Sequence, residues 1–480
     1  VSIAKYWMSR NGMRPDRIVT TRQRGTCMTL MVDDLDRIEH LSTLIAEWSA
    51  SFLKQVDQQS VAVTNHPRPL DEPLATDGLG AEVTFAEFRK HLAPGLSGSV
   101  GPRYLGFVTG GVTPAAMLGD WLTAAIDQNV MVAGDSISTA VELQVIEWLR
   151  SLFELDAAYG GVLTSGATTS NLLGMLTARQ FAGEIQDIDI ASEGIGKAEI
   201  EIFSACPHAS IRKVIGFSGM GRNAITEVPC LPGSEEMDVA ALEQLLTHSR
   251  APGKIVIASA GTVTGTDFDD LTQTTLLCKA HNAWLHVDAA FGLFSRLVPK
   301  YKSLTNGING ADSITCDGHK WLNVPYDCGI FLTKHPTLLQ RTCSVSAPYL
   351  AVSDELPSLM DRGIENSRRF RALPIWMSLK AYGRQGYRDL VSRNCEQASL
   401  LADWISKSSS YELLTPCKLN VVVFRPSGSK SDVQQKLAEI NQTGLVYLTP
   451  GNWFGTPCIR AAFSNWRTEK ADVDIVCSVL

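Results

Sequence analysis

The side chain in this sequence best placed to react with a carbonyl group is that of Lys320, which follows His319 after an apolar run. A lysine amine becomes nucleophilic once its surroundings favour the uncharged form. The next residues, Trp321 and Leu322, are bulky and apolar, which favours a buried position over a solvated surface lysine. Lys320 is therefore a candidate for forming a Schiff base.

A second candidate is Asp288, which ends the apolar run 284–288. The carboxyl ends of parallel strands are where α/β sheets bind ligands, and a buried carboxylate needs a cation or hydrogen-bond donors. Ala289 and Ala290 are small, so they leave room for a flat group beside the carboxylate. The alternative is a structural aspartate that caps the following turn.

Residues 160–171 form a turn of small residues that leads into a helix. A helix N-terminus offers unpaired backbone N–H groups and a positive dipole end to an anion, and Thr168 can add a hydroxyl. An ordinary Ser/Thr N-cap is the alternative. The segment contains neither GxGxxG nor GxxxxGK[ST], so a Rossmann dinucleotide site and an NTPase loop are not supported.

His208 follows Pro207 at the predicted start of another helix, where it can lie over a flat ring, although a lone histidine is more often structural. In chain order, a phosphate turn, a histidine, an aspartate and a lysine are the parts that a pyridoxal phosphate site needs. The lysine binds the aldehyde and the aspartate keeps the ring nitrogen protonated. Their combination predicts a pyridoxal phosphate enzyme.

The elements that position these residues alternate along the chain after about residue 160. Short apolar runs separated by helix-length amphipathic segments predict a parallel sheet covered by helices. The strand candidates are 255–260, 284–287 and 330–332, and the helix candidates are 169–181, 239–248 and 271–281.

Helices are predicted on both sides of this region. Residues 33–100 contain helices joined by a loop rich in Pro and Asp, and residues 113–153 have apolar residues at helical spacing. A long helix begins near Pro374. A smaller α+β unit follows about residue 395, with strand candidates at 421–424 and 458–463.

Length and composition describe a well-packed protein with several parts. The 480 residues exceed the size of a single hydrophobic core. Lys+Arg 43 against Asp+Glu 50 gives a net charge of −7, which argues against a nucleic-acid partner. No stretch approaches about 18 consecutive apolar residues, so we expect no membrane partner.

The eleven cysteines are odd in number, widely spaced and free of C-x-x-C pairs. This pattern predicts neither a disulfide framework nor a zinc site, and we expect no metal. Buried free thiols in a reducing compartment are the favoured interpretation, so we expect a cytoplasmic location.

The chain resembles the group II pyridoxal-phosphate-dependent amino-acid decarboxylases from about residue 80 to the C-terminus. The likeness is clearest in the lysine signature of that family. The residues that match the signature are Ser313, Ile314, Lys320, Trp321, Leu322, Tyr326, Cys328, Phe331 and Lys334. The resemblance implies fold-type I, the α/β fold of aspartate aminotransferase, with a large mostly parallel sheet domain, a small C-terminal α+β domain and an N-terminal helical segment.

The resemblance also implies roles for individual residues. Lys320 is the Schiff-base lysine and Asp288 pairs with the ring nitrogen, while Ala290 and His208 pack on opposite ring faces. Lys320, His208 and Asp288 are thus the implied catalytic residues. The other implied cofactor contacts are Ala167, Thr168, Thr262 and His319, and the implied substrate contacts are Phe107, Thr109 and Arg460.

The implied activity is decarboxylation of an L-amino acid to the corresponding amine and CO₂, with pyridoxal 5'-phosphate as cofactor. An oxidative aldehyde synthase, or another pyridoxal phosphate enzyme acting on carbon–carbon bonds, would share these residues. A non-catalytic protein of this fold would have lost Lys320 or Asp288, and both are present. The resemblance further implies a homodimer with the active site at its interface.

One segment departs from the family pattern. Residues 352–366 correspond to a loop that often carries a proton-donating tyrosine, and here they contain neither Tyr nor His. The proton donor is therefore His208, Tyr349 or a residue of the partner subunit. The basic run 367–371 is expected to be structural.

These observations predict four parts of the chain. Residues 1–31 form a basic extension that we expect to be disordered, processed or non-native. Residues 32–109 form a helical segment that wraps the partner. Residues 110–395 form the cofactor-binding domain, and residues 396–480 form the small C-terminal domain.

Overall fold

The structure is a computed structural model, and the residues that it describes are 30–63, 73–131, 136–344, 356–428 and 432–480. Almost all of the predicted basic extension and the candidate proton donor Tyr349 lie outside these ranges. The chain divides into two compact units. Of the described residues, the smaller unit comprises 30–54 and 73–96, and the larger unit comprises 55–63 and those from 97 onward.

Eleven strands in the described residues form two sheets in the larger unit. The strands are β1 Gly160–Thr164, β2 Ile200–Ser204, β3 Ile225–Glu227, β4 Gly253–Ser259, β5 Trp284–Asp288, β6 Ser313–Asp317, β7 Gly329–Thr333, β8 Tyr411–Leu413, β9 Val421–Pro426, β10 Thr449–Trp453 and β11 Thr456–Ala462. The seven-stranded sheet has the order β1-β7-β6-β5-β4-β2-β3, and the four-stranded sheet has the order β10-β11-β9-β8.

Helices surround these sheets and also make up the described part of the smaller unit. The α-helices are α1 Leu30–Asp36, α2 Ile38–Gln55, α3 Ala81–Glu87, α4 Pro114–Ile126, α5 Ser138–Leu152, α6 Ala167–Glu184, α7 Ile190–Glu193, α8 Ala209–Phe217, α9 Val239–His248, α10 Leu271–Ala280, α11 Pro336–Cys343, α12 Ala372–Lys407, α13 Asp432–Gln442 and α14 Lys470–Val479. Helix α12 contains a kink at Gly383, whose φ is 60°.

The large sheet is mostly parallel, as predicted. Strands β6, β5, β4, β2 and β3 run parallel, whereas β7 is antiparallel to both β6 and β1. All five residues of β5 and of β6 are buried, which is typical of strands covered on both faces. A short apolar run specifies a strand but not its direction, so the reversal of β7 was not predicted.

Side-chain caps fix the ends of several helices. Asp238 accepts from the amides of the first turn of α9, and Asp270 does the same for α10. Thr113 caps α4, with Pro114 at the first helical position. Asp127 adopts a left-handed conformation and ends α4, so the region 113–153 holds two helices, α4 and α5.

In the smaller unit, the helices α1, α2 and α3 have no buried residues. An aromatic cluster joins two of them: the Trp48 ring lies 5.5 Å from that of Phe52 and 6.1 Å from that of Phe85. Phe88 completes the cluster at 5.5 Å from Trp48. Much apolar surface on this unit therefore faces outward.

No helix within the described residues is long and apolar enough to cross a membrane. The ten cysteines in those residues all carry free thiols. The same part of the chain has no cluster of three or more His, Cys, Asp or Glu side chains that could hold a metal ion.

Candidate active site

A cavity of about 480 Å³ lies in the larger unit, where the carboxyl ends of the parallel strands meet. It is lined by ten of the eleven candidate residues: Phe107, Ala167, Thr168, His208, Thr262, Asp288, Ala290, His319, Lys320 and Arg460. The eleventh, Thr109, is buried next to the cavity, and its Oγ1 lies 3.5 Å from the hydroxyl of the lining residue Tyr326. The fold thus brings together segments that are far apart in sequence.

Lys320 lies on the loop that follows β6. Its Nζ is 3.1 Å from Oδ2 of Asp317, the last residue of that strand. The same carboxylate oxygen lies 3.4 Å from Nε2 of His319. Because the Cys328 amide donates to Nδ1 of His319, its imidazole proton lies on Nε2, towards Asp317. Burial lowers the pKa of His319, so the ring is neutral near pH 7.

The predicted phosphate turn leads into α6. The amide of Ala167 donates to Oδ1 of Asp317 at 2.6 Å, so in this structure it faces a carboxylate. Thr168 and Thr169, in the same first turn, line the cavity, and the hydroxyls of Thr169 and Ser165 lie 2.7 Å apart. First-turn amides have no acceptor in their own helix, so this end of the cavity suits an anion.

Asp288 lies at the end of β5. Its Oδ1 accepts from the amide of Ala290 at 3.2 Å, and its Oδ2 accepts from Nδ2 of Asn171 at 3.1 Å. His208 caps α8: its Nδ1 accepts from the amide of Ser210 at 3.2 Å, so its proton is on Nε2. Burial lowers the pKa of His208, which keeps the ring neutral at pH 7.

The Thr262 side chain is held by an acidic neighbour. Its hydroxyl donates to Oε2 of Glu235 at 2.5 Å and accepts from the amide of Asp267 at 2.9 Å. The amide of Gly265 donates to the same Glu235 oxygen at 2.7 Å. Thr262 therefore lines the cavity with its hydroxyl already bonded to protein groups.

Arg460 brings a buried cation to the cavity from β11. Among the residues that the structure describes, its Nε and Nη2 have no hydrogen-bond partner. Gly451 on the neighbouring strand makes room for the side chain, since a Cβ there would lie 2.7 Å from Cδ of Arg460. Burial lowers the pKa of the guanidinium. Such a group needs an anion, and the cavity offers space for one.

The segment 106–110 packs tightly against the lysine loop. A Cβ on Gly110 would lie 1.6 Å from the carbonyl oxygen of Lys320, so only glycine fits there. The preceding residues Phe107 and Val108 have φ values of 56° and 60°, a left-handed conformation that is costly for bulky and β-branched side chains. Strain of this kind is often found where a segment lines a binding site.

Comparisons with known proteins match this geometry. The profile described as the pyridoxal-dependent decarboxylase conserved domain matches residues 66–427, more than half of the chain. An aromatic-L-amino-acid decarboxylase of Bacillus atrophaeus is 30% identical over 393 residues, which are 78% of this chain and 79% of the relative. The chain belongs to the family of pyridoxal-dependent decarboxylases.

Two further likenesses bear on this decarboxylase. An L-2,4-diaminobutyrate decarboxylase of Acinetobacter baumannii is 32% identical over 304 residues, which are 59% of each chain. The crystal structure of Oryza sativa TDC with PLP and tryptamine superposes with a TM-score of 0.85 at 21% identity, covering 92% of this chain and 97% of that one. At this identity the superposition supports the fold, which confirms the predicted fold-type I architecture.

Family membership confirms the enzyme class and the cofactor predicted from the sequence. The decarboxylase is a carboxy-lyase that uses pyridoxal phosphate to decarboxylate an amino acid. The donor set of the cavity fits this cofactor: a primary amine on Lys320, a strand-end carboxylate on Asp288, and helix-terminal hydroxyls and amides at α6.

Three residues near the decarboxylase cavity were not singled out from the sequence. Asp317 lines the cavity beside Tyr326 of the lysine signature, whereas Asn171 and Glu235 hold lining residues from behind. Asp317 follows the apolar run that precedes Lys320, a position that could have marked it as a partner of the amine. Nothing in the sequence pattern signals Asn171 and Glu235, because their partners lie 27 or more residues away.

Proposed function

We propose that this decarboxylase converts an aromatic L-amino acid to the corresponding amine and CO₂, with Lys320 as the residue that holds the cofactor. The observation that carries the proposal is the buried guanidinium of Arg460. It lines the same cavity as Lys320, and two of its nitrogens have no hydrogen-bond partner among the described residues. A substrate carboxylate would accept hydrogen bonds from these two nitrogens.

When bound, pyridoxal phosphate supplies an electron-accepting ring that makes loss of CO₂ from an amino acid feasible. Lys320 provides the primary amine for the aldehyde, and Asp288 provides the carboxylate for the ring nitrogen. The first turn of α6, with the hydroxyl of Thr168 and the imidazole of His319, provides donors for the phosphate. Ala290 and His208 provide surfaces for the two faces of the ring, and Thr262 borders its edge.

The chain's own groups also bind the substrate and hold a proton for the reaction. Arg460 binds the carboxylate, and Phe107, with Thr109 beside it, borders the substrate. His208 holds a proton on Nε2 because its Nδ1 accepts from Ser210, so it can return a proton to the substrate carbon after CO₂ leaves.

The cavity walls support an aromatic side chain. Phe107, Val108 and Val263 line it together with Phe291 and Tyr326, so much of the surface is apolar or aromatic. Both acids in the lining already have partners. Asp288 accepts from Asn171, and Asp317 pairs with Lys320 and accepts from the Ala167 amide. A second ammonium group on the substrate would thus find no unpaired carboxylate in the described lining.

A screen of amine release over the twenty L-amino acids tests this proposal. We expect release from Trp, Tyr or Phe, and little from acidic or basic amino acids. Arg460→Met should raise KM at least tenfold, since it removes a charged hydrogen-bond partner of the carboxylate. Release confined to acidic or diamino substrates would contradict the aromatic assignment.

The oxidative alternative is distinguished by measuring products in the same assay. Simple decarboxylation gives amine and CO₂ in equal amounts without oxygen uptake. An aldehyde synthase would consume O₂ and release aldehyde and H₂O₂ in place of the amine. Aldehyde without amine from every substrate would overturn the proposed reaction.

We further propose a homodimer in which residues 32–109 wrap the partner and the active site lies at the interface. The support is the outward-facing apolar surface of the smaller unit: Leu35 and Ile38 are 66% and 56% exposed. Large exposed apolar patches mark interaction sites. In this proposal residues 110–395 form the cofactor domain, and residues 396–480 form the small domain that supplies Arg460.

We also propose a cytoplasmic location. The support is chemical: the ten described cysteines carry free thiols, which a reducing compartment preserves.

A further inference from the structure

The carboxylate of Asp288 is held from behind by a chain of buried side chains. Asn171 Nδ2 donates to Oδ2 of Asp288 at 3.1 Å, and Asn171 Oδ1 lies 2.9 Å from Nε2 of His286. Nδ1 of His286 lies 2.8 Å from the hydroxyl of Ser313, which in turn accepts from the indole N–H of Trp284 at 3.0 Å. The side chains of Asn171, His286, Ser313 and Trp284 are fully buried.

The two ends of this chain fix the direction of every hydrogen bond in it. An ionised Asp288 only accepts, so Asn171 must turn its N–H towards Asp288 and its oxygen towards His286. Nε2 of His286 must then carry the proton, which leaves Nδ1 to accept from the Ser313 hydroxyl. An indole N–H only donates, so the hydroxyl accepts from Trp284 and donates to His286.

The chain requires a neutral His286 with its proton on Nε2. Burial lowers the pKa of this imidazole to about 4, so it is neutral near pH 7. Gly174 on α6 shapes the space for the ring, since a Cβ there would lie 2.4 Å from Cε1 of His286. The interior therefore holds the ring in one place and one protonation state.

Asn171 is also linked through Ser210 to His208, the other side chain proposed to face the cofactor ring. Its Nδ2 lies 3.3 Å from the hydroxyl of Ser210, which lies 2.8 Å from Nδ1 of His208. The Ser210 amide also donates to that Nδ1, so the nitrogen is an acceptor and the His208 proton is on Nε2. One side-chain amide thus links Asp288 and His208.

We infer that Asn171 is a positioning residue that orients the Asp288 carboxylate and holds His208 in its Nε2–H form. His286 and Ser313 fix the orientation of the Asn171 amide. Without Asn171, the remaining hydrogen bond to the Asp288 carboxylate among the described residues is the one from the Ala290 amide. The inference rests on the role proposed above for Asp288.

The test compares holoenzyme variants by a measurement other than activity, the dissociation constant of pyridoxal phosphate. Asn171→Leu removes both N–H groups at similar volume, and we expect the constant to rise roughly ten- to a hundredfold. The pH midpoint of the visible absorbance of the lysine-linked cofactor should shift as well, which a purely structural defect would not cause. The matched control is Asn420→Leu, a buried asparagine that donates to the Phe463 carbonyl and should leave both values unchanged.

One further pair and one single variant keep the test decisive if Asn171→Leu folds poorly. His286→Gln keeps a side-chain N–H for Asn171, whereas His286→Leu does not, so the Gln variant should bind the cofactor more tightly than the Leu variant. Gly174→Ala leaves the Asn171 and Asp288 side chains themselves unsubstituted, and by displacing the His286 ring it should also weaken binding. Equal behaviour of the Gln and Leu variants would overturn the inference.

Asp288→Asn distinguishes failure of the inference from failure of the proposed function. If this variant binds the cofactor as tightly as the unmodified chain, the role of Asp288 is wrong and the inference fails with it. If Asp288→Asn weakens binding and Asn171→Leu leaves both the constant and the pH midpoint unchanged, only the inference is overturned. Weakening in both variants, with the control unchanged, supports it.

Discussion

His286 lies in the interior of the seven-stranded sheet, where Asn171 and Ser313 bond both ring nitrogens. Its pKa falls from 6.5 to about 4 because burial disfavours the charged form. In the unfolded chain the ring takes up a proton below about pH 6.5. Between these pH values the unfolded state binds more protons, so the free energy of unfolding falls as the pH falls, by about 3 kcal/mol at most for this residue.

We therefore expect His286→Gln to change how stability depends on pH. The free energy of unfolding of the unmodified protein should fall relative to that of the variant as the pH falls from 7 to 4.5, because the variant has no imidazole to protonate at position 286. Urea unfolding of the holoenzyme across this range measures the difference. His248→Gln, at an exposed histidine on α9, should show a difference that does not change with pH. A constant difference for His286→Gln would refute the explanation.

At the residue scale, the sequence predicts the reactive groups better than it predicts their partners. Lys320 and Asp288 stand out because each follows an apolar run that ends at the ligand-binding edge of a sheet. Asn171, which holds Asp288, lies 117 residues from it in the chain and within a helix whose pattern only indicates packing. Side-chain partners this distant depend on the final packing, which the pattern of one sequence does not specify.

Among the elements, α5 and the segment just before α12 are joined by a buried ion pair. Nη2 of Arg368 lies 2.9 Å from Oε1 of Glu142 on α5, and both side chains are fully buried. The backbone of Leu163 in β1 completes the arrangement: its carbonyl accepts from Arg368 and its amide donates to Glu142. The predicted structural role of the run 367–371 thus has a physical basis next to the phosphate turn.

Breaking this pair on one side should be costly. Arg368→Met leaves the Glu142 carboxylate buried without its cation, and we expect a loss of roughly 3–5 kcal/mol in the free energy of unfolding. The double variant Glu142→Leu with Arg368→Met should recover much of that loss. Urea unfolding measures both values.

The control is Arg212→Met, which removes an exposed ion pair with Glu227 and should cost less than about 1 kcal/mol. A loss for Arg368→Met as small as that of the control would contradict the assigned role of the buried pair.

At the element scale, periodicity locates strands and helices but not every direction or break. Helix α9 was predicted with the observed bounds, since the cap Asp238 and the apolar spacing agree. The reversed β7 and the break at Asp127 were missed. Strand direction is decided by neighbouring strands, and a left-handed aspartate has no unique local signature.

For the whole molecule, the outward-facing apolar residues of α1 and α2 are the feature that a second copy would cover. Replacing Leu35 and Ile38 together with Glu places two charges on this surface. We expect the double variant to dissociate into monomers at concentrations where the unmodified protein is dimeric, because burying an unpaired carboxylate is unfavourable. Analytical ultracentrifugation measures the mass.

The matched control is Phe217→Glu, at a 65% exposed aromatic residue in the larger unit, which should leave the mass unchanged. A dimer of unaltered stability in the Leu35 and Ile38 double variant would contradict the wrapping role of this segment. A monomeric unmodified protein would contradict the dimer itself.

Lys320 is the residue that we propose holds pyridoxal phosphate in this decarboxylase. Reduction of the holoenzyme with sodium borohydride fixes the cofactor on its amine, and mass spectrometry of the peptides identifies the modified residue. We expect a pyridoxyl group on Lys320 and none in Lys320→Ala. A modified residue elsewhere, such as Lys334 or Lys418, or an unaltered visible absorbance in Lys320→Ala, would contradict it.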